Sequence, residues 1–185
     1  MAIRPKTKAL LWAAVAALCV AAFLAPRSLY WRMARPFLHA DHVERHAQER
    51  GFDPLFVMAL VRVESSFARS ARSPRGAVGL MQLMPDTGLD MARRLGLKPE
   101  EVDLEDPETN VRLGVYYLSL LRAEFGDDRV ALLAAYNAGP KNAREWLKEG
   151  PLTLDRVPFP ETRALIERVN RTEERLRRIA GGTRG

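Results

Sequence analysis

From Asp41 onwards, apolar residues recur at steps of three and four, the spacing that places side chains on one face of an α-helix. Capping residues precede these runs, and glycine or proline ends most of them. No run of alternating β-branched residues reaches the length of a strand. The pattern predicts an all-α domain over residues 41–180, followed by a flexible tail over residues 181–185.

Start and stop signals divide this domain into separate helices. Asp53-Pro54 and Asp106-Pro107 give clear starts, because the aspartate can cap the first turn and proline is favoured at the first helical position. Gly139-Pro140 is a helix stop, and residues 70–79 are predicted to be a loop. The predicted helices cover residues 41–50, 53–67, 86–95, 107–125, 128–137 (from a cap at Asp127 or Asp128) and 160–180.

The N-terminal part of the chain has a different pattern. A basic flank, residues 1–8, precedes an uninterrupted apolar run over residues 9–25, slightly shorter than the ~20 residues that span a bilayer. This run predicts a transmembrane anchor or a signal segment. We favour an uncleaved anchor because Phe23 and Pro26 suit a signal-peptidase site poorly, and a cleaved signal is the alternative. Residues 26–40 lack a clear period and are interpreted as a linker.

Composition and charge restrict the class of protein. The 47% hydrophobic and 28% charged residues are typical of a globular chain. The net charge is +6, but Arg4, Lys6 and Lys8 lie before the apolar run, so the charge gives little support for a nucleic-acid partner. The single cysteine, Cys19, lies inside the run, which leaves none for a disulfide in the predicted domain.

The segment Val-Arg-Val-Glu-Ser-Ser-Phe, residues 61–67, contains the first candidate for chemistry. Glu64 falls in the same helical stripe as Leu60 and Val61. A carboxyl group held against apolar neighbours resists ionisation, which suits a proton donor near neutral pH. The alternatives are a structural glutamate paired with an arginine and a glutamate that reaches solvent at the edge of the stripe.

Two further segments carry isolated polar side chains in apolar surroundings. Residues 76–85, Gly-Ala-Val-Gly-Leu-Met-Gln-Leu-Met-Pro, place one amide, Gln82, in what could be a pocket wall or a tight loop on the core. Residues 135–140, Ala-Tyr-Asn-Ala-Gly-Pro, end a buried helix with Tyr136 and Asn137. Each segment alone also fits a purely structural role.

Together with "DPETNVRLGVYYL" and "VPFPETRALIERV", these segments occur in an order that resembles the catalytic domain of lytic transglycosylases of glycoside hydrolase family 23. The resemblance covers residues 53–169 and implies a lysozyme-like helical fold that needs no cofactor. It implies that the substrate is the glycan strand of bacterial peptidoglycan, cut between N-acetylmuramic acid and N-acetylglucosamine. The implied location is the bacterial cell envelope, either anchored in the inner membrane and facing the periplasm or exterior, or secreted.

The resemblance also implies roles for individual residues. Glu64 matches the family's general acid, which later acts as a base and leaves a 1,6-anhydromuramic acid end. Leu165 stands where relatives usually place a tyrosine near this glutamate, which is expected to make its surroundings more apolar. The positions that match substrate-binding or site-forming residues are Ser65, Gly79, Met81, Gln82, Tyr136, Asn137 and Gly139.

Other polar residues are weaker candidates. Asp86, Asp90 and Glu161 could supply a second carboxylate by residue type alone. His39, His42 and His46 could share a helix face, but the sequence lacks the remaining features of a metal site, and we expect no metal and instead surface or interface histidines. The final arginine- and glutamate-rich segment, residues 168–179, is interpreted as a solvated, ion-paired face.

Two alternative functions remain open at the level of sequence. A goose-type lysozyme shares the lysozyme-like core but hydrolyses the same bond. A non-catalytic peptidoglycan-binding assembly protein could retain the groove without turnover.

Overall fold

The computed structural model describes residues 14–15, residues 39–180 and the backbone of residues 181–182. The predicted membrane segment 9–25 and linker 26–40 lie almost wholly outside the described residues. Among those residues, no helix has the length and apolarity needed to cross a bilayer. Contacts divide the chain into Met1–Arg35 and Pro36–Gly185, and the helices below belong to the second unit.

The described part of this unit is helical and contains no strand, which confirms the all-α prediction. Isolated bridges join Val78 to Arg72 and to Leu83 within the long loop that precedes the third helix. Short 3₁₀ turns occupy Pro99–Glu101 and Leu154–Arg156. The helices are α1 (Ala40–Glu49), α2 (Pro54–Ser65), α3 (Pro85–Arg94), α4 (Pro107–Phe125), α5 (Arg129–Ala138), α6 (Pro140–Leu147) and α7 (Pro160–Gly182).

The predicted helix starts are set by aspartate caps. The side chains of Asp53, Asp106 and Asp128 accept hydrogen bonds from backbone N–H groups in the first turns of α2, α4 and α5, each at 2.8 Å. Each bond satisfies a donor that has no partner inside the helix. The cap of α5 is therefore Asp128 rather than Asp127.

Three helix boundaries differ from the sequence prediction. Helix α2 ends at Ser65 rather than near Phe67, because Ser66 and Phe67 adopt left-handed φ angles of 50° and 60°. This turn directs Phe67 into the core, where it is buried. Helix α6 was not predicted: Pro140 ends one helix and also opens the next, at a position where its missing N–H has no cost. Helix α7 extends to Gly182, and residues 183–185 lie outside the described part.

The core positions the end of α2 beside the long loop. Helix α2 packs against α1 and α7, while α5 packs against α4, α6 and α7. Leu60, Leu113 and Leu133, from α2, α4 and α5, are fully buried. Leu80 and Met81 of the loop enter the same core. The loop is thus fixed next to the last turn of α2, which carries Glu64.

Candidate active site

A cleft of about 820 Å³ opens where the end of α2, the loop before α3, the junction of α5 and α6, and α7 meet. Both apolar and polar side chains line it, as is typical of ligand sites. The predicted residues that it brings together are Glu64, Gln82, Tyr136, Asn137 and Gly139. The other lining residues include Ser73, Arg75, Met84, Thr87, Tyr117, Glu161 and Arg168.

Glu64 is the partly buried carboxyl group of this cleft. Its removal from water raises its pKa from 4.5 to about 7, while the positive charge of Arg168 acts in the opposite direction. No side chain or N–H group in the described part of the chain forms a hydrogen bond or ion pair with it. A structural glutamate would need such a partner, so the geometry favours a group that exchanges protons with a ligand.

Gln82 lines the cleft from a strained backbone position, with a φ of 46°. Its Nε2 donates to the carbonyl oxygens of Gly79, at 2.9 Å, and Ala71, at 3.1 Å. These bonds fix the amide plane. Within the described structure its Oε1 accepts no hydrogen bond, so this oxygen is the acceptor left for a ligand.

Tyr136 and Asn137 end α5 at the cleft. The Tyr136 hydroxyl donates to the carbonyl oxygen of Met81 at 2.5 Å, so it ties α5 to the loop rather than bonding Glu64. Burial, with the nearby charge of Glu64, raises the pKa of Tyr136 well above its ordinary value. The Thr162 hydroxyl donates to Asn137 Oδ1 at 2.7 Å, which leaves the Asn137 amino group available to the cleft. Gly139 follows with a φ of +90° and open space where a side chain would begin.

Three predicted site residues do not line the cleft. Met81 is fully buried in the core, and its side chain packs against Gly114. The Ser65 hydroxyl donates back to the Val61 carbonyl, 3.1 Å away, within its own helix. A Cβ at Gly79 would lie 2.2 Å from Asn110 Nδ2, so close packing against α4 requires a glycine here. Direct contact between these three residues and a substrate stays a prediction.

Asn110 is a structural support of the site to which sequence reasoning assigned no role. It is fully buried in α4, and its Oδ1 accepts from the Met81 N–H at 2.8 Å. Its Nδ2 donates to Val78 and Leu104 carbonyls at 2.9 and 2.8 Å. The sequence did contain a clue to this role, because an asparagine is a poor helix former and this one lies beside Val111 on the apolar side of a helix. Thr162, Tyr117 and Arg168 were also missed, and their positions in the sequence gave no comparable signal.

The candidate second carboxylates are distributed unevenly. Asp86 and Asp90 lie on α3 and do not line the cleft, and hydrogen bonds and charge from Arg94 and Arg93 lower the pKa of Asp90. Glu161 lines the cleft but pairs with Arg75 at 3.0 Å on the exposed rim. Leu165 is buried in the core and does not line the cleft.

The histidines of α1 form a separate polar cluster. His46 lies between Glu49, 2.9 Å from its Nδ1, and Glu108, 2.8 Å from its Nε2. His42 also contacts Glu108, at 2.5 Å. His46 is buried, so the expectation of a surface or interface histidine was wrong at this position: its two carboxylate partners satisfy both ring nitrogens. Among the described residues, no group of histidine, cysteine or carboxylate side chains is arranged to hold a metal.

Comparison with known proteins is consistent with this geometry. The family model of the transglycosylase SLT domain matches residues 41–153. The soluble lytic murein transglycosylase of Escherichia coli (strain K12) is 34% identical over 142 residues, which are 72% of this chain and 22% of that protein. The membrane-bound lytic murein transglycosylase C of Haemophilus ducreyi is 35% identical over 121 residues, covering 54% of this chain and 33% of that protein.

A solved structure extends the similarity to the fold. It is the X-ray structure of an inactive mutant, with glutamine in place of a glutamate, of the lytic transglycosylase Slt from Pseudomonas aeruginosa. It aligns with a TM-score of 0.68 and 36% identity, over 77% of this chain and 24% of that one. The chain therefore spans about a quarter of the length of the Escherichia coli and Pseudomonas relatives.

Proposed function

Because the chain belongs to the transglycosylase SLT domain family, we propose that it cleaves the β-1,4 bond between N-acetylmuramic acid and N-acetylglucosamine in peptidoglycan without hydrolysis. The observation that carries this proposal is Glu64, a carboxyl group with a pKa of about 7 and no hydrogen-bond or ion-pair partner among the described residues, inside a cleft large enough for sugars. A group with this pKa is about half protonated at neutral pH. It can therefore both give and take a proton.

In the proposed reaction, protonated Glu64 donates its proton to the glycosidic oxygen as the bond from that oxygen to C1 of the muramic acid breaks. The N-acetylglucosamine end leaves with this proton. The Glu64 carboxylate then takes the proton of the muramic C6 hydroxyl, and the C6 oxygen bonds to C1. This closes a 1,6-anhydro ring, restores the acid and consumes no water, because the internal hydroxyl is already held close to C1.

The carboxyl groups that line the cleft support this route over hydrolysis. A hydrolase that follows the usual two-carboxylate scheme needs a second group as nucleophile or base. In the described cleft that group could only be Glu161, which is paired with Arg75 at the rim. The inactive glutamate-to-glutamine mutant of the Pseudomonas relative supports an essential glutamate in this family.

The proposed place of action is the bacterial cell envelope, where peptidoglycan lies. Relatives include proteins named soluble and proteins named membrane-bound. The apolar run 9–25 remains a prediction of an anchor or signal that would bring the domain there.

Digestion of purified sacculi by the full chain, followed by mass spectrometry of the products, tests this function. We expect anhydromuramic ends, which are lighter by one water than hydrolytic ends. Glu64→Gln should lower their rate of formation by about 10²- to 10⁴-fold, the usual contribution of a general acid. The matched control Glu161→Gln should retain activity within about tenfold, because an exposed ion pair contributes little.

Other products would contradict the proposal. Hydrolytic ends would indicate the goose-type lysozyme reaction. Binding of sacculi by both the wild type and Glu64→Gln, with turnover by neither, would indicate a peptidoglycan-binding protein without catalysis.

A further inference from the structure

A second pocket, of about 310 Å³, adjoins the cleft between the last turn of α2 and the middle of α7. Arg168 lines both this pocket and the cleft that contains Glu64, so the two spaces are neighbours across one side chain. The residues that line the second pocket are Arg62, Val63, Ser66, Arg168, Arg171, Thr172 and Arg175. We call it the arginine pocket.

Helix periodicity explains why the arginines converge. Arg168, Arg171 and Arg175 follow one another at steps of three and four, so they project from one face of α7. Arg62 and Ser66 are four residues apart at the end of α2, which packs against α7. The family match ends at residue 153, so the arginines of α7 lie outside the matched region.

Most of the charge in the arginine pocket is not neutralised by any side chain in the described part of the chain. Arg171 pairs with Glu167 at 3.6 Å, but Arg62, Arg168 and Arg175 form no ion pair with any residue that the structure describes. Elsewhere on α7, Glu173 neutralises arginines efficiently, with Arg129 and Arg177 each 2.8 Å away. The expectation of an ion-paired face is therefore wrong for Arg168 and Arg175.

Helix-end electrostatics account for only part of this arrangement. Arg62 lies in the last turn of α2, where a positive charge is favourable because of the helix dipole. Arg168, Arg171 and Arg175 lie inside α7, far from its C-terminal end, and gain nothing comparable. Guanidinium groups gathered around one pocket repel each other, and a carboxylate or phosphate relieves that repulsion while accepting bidentate hydrogen bonds.

We propose that the arginine pocket binds the carboxylate groups of the short acidic peptide attached to the muramic acid of the glycan strand. This inference rests on the proposed function. The shared wall at Arg168 favours a ligand that is part of the substrate, because a glycan in the cleft carries its peptide substituents within reach of the neighbouring pocket. A phosphate group of a lipid has the same chemistry but no reason to lie beside the glycan cleft.

The test compares two substrates and two variants of the full chain. The substrates are glycan strands that carry their peptides and the same strands after an amidase has removed them. The test variant is Arg171→Gln/Arg175→Gln. The control Arg93→Gln/Arg94→Gln removes the same charge from α3, where both arginines pair with Asp90. All four arginines are exposed, so equal thermal unfolding of the two variants checks that folding is intact.

We expect Arg171→Gln/Arg175→Gln to lower kcat/KM about three- to tenfold on peptide-bearing strands, mainly through KM, as two exposed charged contacts would. On bare strands it should match the control within about twofold. An equal loss on both substrates, or no loss on peptide-bearing strands, would overturn the proposal. So would a loss confined to binding of phosphatidylglycerol vesicles, which would assign the pocket to lipid phosphate.

Failure of the proposed function would be visible separately. If the wild type makes no anhydro ends on either substrate, the reaction is wrong. Calorimetric titration with the free stem tetrapeptide then still tests the pocket, because binding that weakens in Arg171→Gln/Arg175→Gln but not in the control supports it. No binding by the wild type would contradict it.

Discussion

Asn110 and Glu64 are two polar side chains enclosed by the same helical domain, and their surroundings are opposite. Asn110 makes three hydrogen bonds, to Met81, Val78 and Leu104, and is fully buried. Glu64 faces the cleft, and no described residue forms a hydrogen bond or ion pair with it. The first is a satisfied polar group that fixes a loop, and the second is a carboxyl group open to the cleft whose pKa burial raises to about 7.

The difference shows how this fold combines rigidity with reactivity. Asn110 holds the Val78–Met81 segment against α4, and Tyr136 holds the same segment from α5 through the Met81 carbonyl. The loop that carries Gln82 is thus fixed from two sides, while the Glu64 carboxyl group in the same cleft has no hydrogen-bond partner in the described part of the chain. Full hydrogen bonding stabilises the wall, and its absence at Glu64 keeps a proton exchangeable.

The largest effect on stability is expected from Asn110→Ala. It leaves the Met81 N–H and the Val78 and Leu104 carbonyls buried without partners, which should lower the free energy of unfolding by about 4 kcal/mol. Chemical denaturation measures this change. Asn142→Ala is the matched control, since Asn142 makes a single bond to the Ala138 carbonyl and should cost only about 1 kcal/mol. Equal losses would show that the loop does not depend on Asn110.

The next effect is a pH dependence of stability at Glu64. Its pKa is about 7 in the folded state and 4.5 as its ordinary value, so between these pH values the unfolded chain loses a proton that the folded chain keeps. Its contribution to stability is complete below pH 4.5 and is lost as the pH rises through about 7. The shift corresponds to about 3 kcal/mol.

Glu64→Gln removes this dependence. From acid to mildly alkaline pH, the free energy of unfolding of the variant should rise by about 3 kcal/mol relative to that of the wild type, as measured by urea denaturation at each pH. Exposed Glu174→Gln serves as the control and should follow the wild type. Parallel curves for the wild type and Glu64→Gln would mean that the carboxyl group is not held in its neutral form.

A smaller effect is expected at Thr162, whose hydroxyl holds the Asn137 side chain at the cleft. Thr162→Val removes the hydrogen bond to Asn137 Oδ1 and frees the amide to rotate. We expect about 1 kcal/mol of destabilisation and about a tenfold lower kcat/KM on glycan strands. Ser119→Ala loses a similar bond, to the Tyr116 carbonyl at 2.7 Å, at a position that does not line the cleft, and should keep full activity. Loss of activity in both variants would indicate a general effect of stability.

The smallest effect concerns Arg168. Its charge lowers the pKa of Glu64 against the larger effect of burial. Arg168→Gln should therefore raise that pKa and move the alkaline limb of the pH–rate profile to higher pH. Arg178→Gln, which loses its pairing with Glu174 on the same helix, should leave the profile in place. A shift of the alkaline limb to lower pH in Arg168→Gln would contradict the electrostatic role of Arg168.

The sequence alone predicted the helical class and most helix starts. These features depend on short-range physics: apolar periodicity, aspartate caps such as Asp53 and Asp106, and proline at the first helical position. It missed α6 because Gly139-Pro140 reads equally as the end of one helix and the beginning of another. The motifs that include Gln82, Tyr136 and Asn137 were predicted to meet, and all three line the cleft with Glu64.

Only the tertiary structure decided which polar groups are satisfied and which are not. Asn110 and Glu64 are both polar residues in amphipathic helices. Asn110 bonds to Met81 and Val78, which are distant in sequence. No residue that the structure describes forms a hydrogen bond with the Glu64 carboxyl group. The convergence of Arg62 with Arg168, Arg171 and Arg175 likewise depends on the packing of α2 against α7. The local sequence pattern predicts helices because the hydrogen bonds of a helix join residues close in sequence. Burial and charge pairing depend on contacts between segments from the whole fold.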